Sequence, residues 1–196
     1  MPTDDEKWIN PQPPKPLSGA EAFSHLNGVH VADFWRFALA DLKTNNARGY
    51  LAEFLVHQAI GSTAHRVEWD SHDAETEDGL RIEVKTSAYL QAWEQPELSR
   101  ITFNGLRSKR WNPRTGYAEK ETYNADIYVF CHQTARTHEA YDPLDLTQWD
   151  FYVLPRDVLI ARNQQSMSLS TVRKLAGLPI SYTDLATAIS AAEPRG

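Results

Sequence analysis

Cysteine occurs once in the 196 residues, which excludes an internal disulfide and the paired thiolates of a structural zinc site. That residue, Cys131, lies in the apolar run IYVFC, where a small buried hydrophobe is expected, and a lone reduced thiol suits the cytoplasm. No window approaches the ~18 consecutive apolar residues a membrane span needs. The N-terminal MPTDDEKWIN is acidic and lacks the basic start and apolar centre of a secretory signal, so the expectation is a cytoplasmic protein, neither exported nor membrane-bound. A phosphate-cradling P-loop, a dinucleotide GxGxxG and a GxSxG nucleophile elbow are missing. An excess of positive charge is missing too: 20 Lys and Arg stand against 26 Asp and Glu, a net charge of -6, which argues against a passive nucleic-acid coat held by bulk charge.

What is present is an ordinary globular composition, 41% apolar and 11% aromatic, in a chain long enough to bury one sizeable core. The proline-dense PQPPKP marks residues 1–17 as a flexible tail, and residues 18–196 form the single predicted domain. Ser18 and Glu21 have capping-box spacing for a short helix through about Leu26. Val31 to Leu42 places Phe34, Phe37, Ala38 and Leu42 on one face of a second helix. Asn45 or Asn46 is the expected cap of a third, RGYLAEFLVHQAI, with an apolar face of Leu51, Phe54 and Leu55 and an end at Gly61. The period then changes to two. HRVEW, DAETE with LRIEVKTSAYLQ as a hairpin, RITF, DIYVFCH and WDFYVLP read as strands, and three helices follow, PRDVLIA, STVRKLAG and TDLATAISAA, the last capped by Thr183. The predicted fold is α/β, a central mixed β-sheet flanked by helices, with helical additions at both ends.

The hairpin carries the chemistry. In LRIEVKT, Ile82 and Val84 point to one face and Glu83 and Lys85 to the other. A two-residue Asp78-Gly79 loop would send Asp73 to the core side as an unpaired buried carboxylate, which costs several (~2–7) kcal/mol. A three-residue loop, Glu77-Asp78-Gly79 with Gly79 left-handed, sets Ala74 against Ile82, Glu75 against Arg81 as a charge pair, and Asp73 opposite Glu83 with Lys85 one step along. Two carboxylates held that close repel, so a positive group belongs between them. Mg²⁺, with Mn²⁺ as a substitute, fits an oxygen set of Asp73, Glu83 and the backbone carbonyl of Val84. Such a cation beside the Lys85 ammonium suits phosphodiester hydrolysis.

Asp73, nine intervening residues and then Glu83-Val84-Lys85 resemble the D…(D/E)xK signature of the PD-(D/E)XK, restriction-endonuclease-like nuclease superfamily. The resemblance covers roughly residues 48–132 and implies a restriction-endonuclease-like core, metal ligation by Asp73 and Glu83, and water activation or charge stabilisation by Lys85. It also matches Glu53 in RGYLAEFLVHQ to an acidic residue that many members carry on the preceding helix. His72 stands where the motif's name has proline.

Other residues carry two readings each. Glu53 is either a site acid or an exposed helix residue. His57, four residues on, either touches phosphate and the carboxylate or is structural. Gln91 shares the face of Glu83 only if the strand runs that far, and is otherwise a surface amide. The segment Leu98–Ala118 holds five basic residues and no acidic ones, which leaves a net -11 on the rest of the chain, the total of -6 less these five. Within it Arg107, Lys109, Arg110 and Arg114 suit phosphate contact and Trp111 suits base stacking, unless the segment is a solvated loop whose aromatics enter the core. The functional expectation is a metal-dependent nuclease acting on nucleic acid, DNA first, with a homodimer suited to double-strand cutting. The alternative is a non-catalytic nucleic-acid-binding or protein-interaction domain on the same fold.

Overall fold

Strict alternation in RIEVKTSA and the unbroken apolar run in IYVFCHQ dictate different strand environments, one half-buried and one covered on both faces. The computed structural model describes residues 8, 9, 12, 14–66 and 71–193 and divides the chain into two compact units, Met1–Ala40 and Asp41–Gly196. Most of the predicted tail (residues 1–7, 10, 11 and 13) and of the strand HRVEW (67–69) lies outside the described residues.

In the first unit, helix α1 (Val31–Ala38) is short, and Asp33 holds its start by accepting the His30 N–H at 2.9 Å and pairing with Arg36 at 2.8 Å. It stops before Leu42, and none of its residues is buried; Phe34 and Phe37 are exposed. The helix expected from Ser18 does not form. Glu21 does reach back to the Ser18 and Gly19 N–H groups, as a capping box would. The chain cannot continue as a helix because Gly19 has φ +92°, and a Cβ there would meet the Trp35 ring at 2.8 Å.

In the second unit, helix α2 (Asn45–Ala59) starts from Thr44, one residue before the predicted cap, while Asn45 accepts from Arg48 instead. Its buried face is Ala52, Leu55 and Val56, and Phe54 is exposed. Strands β1 (Ala74–Glu75), β2 (Arg81–Ala88), β6 (Ile127–Gln133) and β7 (Trp149–Pro155) form a mixed sheet in the order β1-β2-β6-β7. β2 and β6 run parallel, and the outer pairings are antiparallel. Ile82, Val84, Val129 and Phe151 face α2 and the last helix, α5 (Tyr182–Ala191). The opposite face packs Tyr128, Phe130 and Tyr152 against Phe103, Leu159 of α3 (Arg156–Arg162), Met167 and Val172 of α4 (Leu169–Ala176). All seven residues of β6 are buried, and Cys131 is fully enclosed, which pushes its thiol pKa up. The architecture is the predicted one, a central mixed sheet flanked by helices.

Four small strands in two pairs complete the unit. RITF contributes β3 (Thr102–Asn104), which pairs with β8 (Ser166–Ser168), and β4 (Trp111–Asn112) pairs with β5 (Gly116–Tyr117) across a surface turn. The cap of α5 is Ser181, and Thr183 lies within the helix. Among the described residues no helix is long and apolar enough to cross a membrane.

Candidate active site

The hairpin has the register that places its acids together. Ala74 lies opposite Ile82 and Glu75 opposite Arg81, and the turn closes through Gly79 N–H to Thr76 O at 2.9 Å with Gly79 at φ +83°. The Asp73 N–H reaches Ile82 O at 2.9 Å, and its carboxylate Oδ2 accepts the Val84 N–H at 2.7 Å. His57 of α2 donates from Nε2 to the Asp73 carbonyl oxygen at 2.9 Å, so a helix side chain and a strand amide both fix this aspartate. His57 therefore acts as a positioning group for the Asp73 backbone.

Glu83 and Lys85 share the face of Tyr128 and Phe130, their partners across β6. Lys85 Nζ donates to Glu83 Oε1 at 2.5 Å, with the two side chains 21% and 18% exposed. Burial and the neighbouring Asp73 charge push the Glu83 pKa up to about 7, against a smaller pull downward from Lys85. Glu53 feels the same field: burial first and Asp73 second raise its pKa, while Arg66 and Lys85 lower it. Arg66 holds Glu53 Oε2 at 2.6 Å and lies over the Tyr50 ring, 4.5 Å from its centroid. The sequence pattern puts Arg66 in the strand HRVEW, but residues 62–66 are irregular, and nothing in the pattern points to its pairing with Glu53.

The free edge of β2 gives the site its open side. The Arg81 carbonyl accepts the Asp126 N–H on the β6 side, so by alternation the backbone groups of Ile82 and Val84 face the β1 side. β1 ends at Glu75 in one direction and at Ala74 in the other, and the Val84 carbonyl consequently lies beyond the paired segment on the same edge as Asp73. Asp73, Glu83 and this carbonyl supply only hard oxygen donors, a donor set whose chemistry fits Mg²⁺ or Mn²⁺. Among the described residues no three His, Cys, Asp or Glu side chains enclose a metal position by themselves. A cation here would need oxygens from water or substrate.

The expected Glu75–Arg81 ion pair is not the main one. Arg81 instead forms two side-chain hydrogen bonds to Asp126, at 2.9 and 2.8 Å, and Glu75 lies 3.1 Å from His72 Nε2. A guanidinium fork matches the Asp126 carboxylate in two-point geometry, which one cross-strand glutamate does not offer. β2 ends at Ala88, so Gln91 is not on the Glu83 face of the strand; it is buried in the following loop, where its amide donates to Ala88 O and Ser99 Oγ.

The basic segment lies on the surface. Arg107 donates to Asn163 and Gln165, Arg110 donates to Asn124, and Lys109 and Arg114 are exposed. Phe103 enters the core, whereas Trp111 and Tyr117 are exposed on the β4–β5 turn. Gly105 ties the segment to the acids, since a Cβ at that position would stand 3.9 Å from Lys85 Nζ. Arg107 follows two residues later, a reach of at most about 7 Å.

No curated protein matches the chain. Residues 36–171, well over half of the sequence and including every site residue named above, match the model of the family described as Bacteriophage T4 endonuclease IV. The chain therefore belongs to the bacteriophage T4 endonuclease IV family, a family of nucleases.

Proposed function

We propose that the protein is a Mg²⁺-dependent nuclease that hydrolyses phosphodiester bonds in DNA through Asp73, Glu83 and Lys85, a site of the PD-(D/E)XK kind. The observation that carries the reading is the Asp73 carboxylate bonded to the Val84 N–H beside the Glu83–Lys85 pair. Membership of a nuclease family supports it. Asp73, Glu83 and the Val84 carbonyl would hold the cation, which when bound supplies Lewis-acid polarisation of the phosphodiester.

The chain's own groups account for the rest. Hydrolysis forms one P–O bond from water and breaks one ester P–O bond; the water gives up a proton and the departing oxygen gains one. Lys85, its ammonium beside Glu83, stabilises negative charge that grows on the non-bridging oxygens. Its place next to Gly105, where there is no side chain, leaves that ammonium approachable by substrate. Glu53, held in place by Arg66, adds a carboxylate to order water or complete the cation's surroundings. Arg107, Lys109, Arg110 and Arg114 would contact the phosphate backbone, and Trp111 would stack on a base, drawing DNA toward an otherwise acidic site. Cutting both strands of a duplex calls for two such sites, which a homodimer would supply.

Incubation of end-labelled DNA with the protein in Mg²⁺ and in EDTA tests the reading. Cleavage in Mg²⁺, none in EDTA, and a loss of at least about 100-fold in Glu83→Gln and Lys85→Ala with unchanged circular dichroism are the expected results. Equal cutting by both variants and the parent would overturn the site assignment. Salt-sensitive DNA binding with no turnover in any metal would instead identify a binding module.

A further inference from the structure

A buried cation without an anion lies beside the site. Arg48, in the first turn of α2, is 4% exposed. Its Nη atoms donate only to neutral groups, the Lys43 carbonyl at 2.9 Å and the Asn45 amide oxygen at 2.6 Å, and its buried Nε has no hydrogen-bond partner. No carboxylate lies within ion-pair distance of it among the described residues. A desolvated charge in that condition is unfavourable unless an anion completes it.

Arg48 lines a cavity of about 360 Å³, within the ~300–1,000 Å³ typical of ligand pockets. Arg100, Trp93, Thr86 and Asn104 are among its other walls, and no Asp or Glu contributes to it. The hydroxyl of Thr86 is a second buried polar atom without a partner. Two other cavities among the described residues have acidic walls, one with Glu77, Asp78 and Glu193 and the other with Asp73 and Glu75. This pocket alone of the three combines arginine with the absence of acids.

Its position is continuous with the proposed active site. Ser87, in the wall, is two residues beyond Lys85 on β2, a step of about 7 Å. Asn104, also in the wall, precedes Gly105, whose Cβ position is 3.9 Å from Lys85 Nζ. Trp93 is 56% exposed at the rim, and an indole face there is available for stacking on a nucleobase.

We propose that this pocket is a subsite for one nucleotide of the substrate strand, next to the phosphate that is cut, with Arg48 and Arg100 holding its phosphate and Trp93 stacking on its base. The inference rests on the nuclease reading for the identity of the strand, but its test does not depend on cleavage. Binding of a fluorescent oligodeoxynucleotide is measured by anisotropy in EDTA, for the parent, Trp93→Ala, Arg100→Ala and Arg48→Lys, with thermal melts as the check on folding. Trp93→Ala and Arg100→Ala should each weaken binding about tenfold with an unchanged melting temperature. Arg48→Lys, which keeps the charge and loses the fork, should weaken it as well. A deoxynucleoside 5′-monophosphate should displace the oligonucleotide at lower concentration than inorganic phosphate does. Parental affinity in either Trp93→Ala or Arg100→Ala would overturn the subsite, and equal displacement by inorganic phosphate would reduce it to a plain anion site. An oligonucleotide held in this way but never cut would leave the subsite standing and remove the catalytic reading; one cut normally while the variants bind like the parent would do the reverse.

Discussion

Burial and the Asp73 charge act together on Glu83 against the pull of Lys85, and that balance has a measurable consequence. Its pKa is raised from an ordinary 4.5 to about 7, by burial and by Asp73. Between those values the folded protein binds a proton that the unfolded chain releases, so the metal-free protein keeps this contribution to stability below about pH 4.5 and loses it as pH rises through about 7. Urea unfolding in EDTA should show a decline of about 1–3 kcal/mol over that window, flattened in Glu83→Gln and opposed by added Mg²⁺. The same titration sets the acidic limb of cleavage: activity at limiting Mg²⁺ should rise toward pH 7, and the limb should move to lower pH as Mg²⁺ is increased. An unchanged limb would mean that Glu83 does not hold the cation. His57 acts one step removed, through the Asp73 carbonyl, and His57→Ala should lower cleavage and raise the Mg²⁺ concentration needed for half-maximal activity, where a purely structural residue would leave the metal requirement alone.

At the level of elements, the β1–β2 hairpin was the most legible part of the chain. Of a two-residue and a three-residue loop, a period of two lets only the longer keep Asp73 off the core face, and the structure has that register and a left-handed Gly79. Gly79→Val should therefore destabilise the protein by about 1–2 kcal/mol in urea unfolding and lower cleavage, since it strains the turn that aligns Asp73 with Glu83. The long-range pairs were not legible. Asp126 binds Arg81 across 45 residues of sequence, and β8 pairs with β3 across 62 to 66, from Asn104 opposite Ser166 to Thr102 opposite Ser168, contacts that no local pattern encodes. Asp126→Ala should cost about 1–3 kcal/mol, because it removes a carboxylate that serves Arg81 and Arg156 together. The helix expected from Ser18 shows the converse: its capping contacts exist, yet a single left-handed glycine turns the chain away.

Across the whole molecule, the central mixed sheet was foreseen from the order of periodic segments, and the two clusters on its faces show why the site lies where it does. β6 and β7 are almost wholly committed to packing, which leaves β2, with its open edge past Asp73, as the strand able to present charged groups. The buried Arg48 pocket was invisible in sequence because its walls come from α2, the end of β2, the loop after it, and β3. Membership of the endonuclease IV family makes the protein a nuclease, and the site proposed for it draws on Asp73, Glu83 and Glu53, whose charges act on one another and are offset by Lys85. The most direct test is anomalous scattering from crystals grown with Mn²⁺. The account predicts a single strong peak between the Asp73 and Glu83 carboxylates, about 2.0–2.2 Å from their oxygens and within reach of the Val84 carbonyl. A peak elsewhere, or none at a Mn²⁺ concentration that supports cleavage, would contradict it.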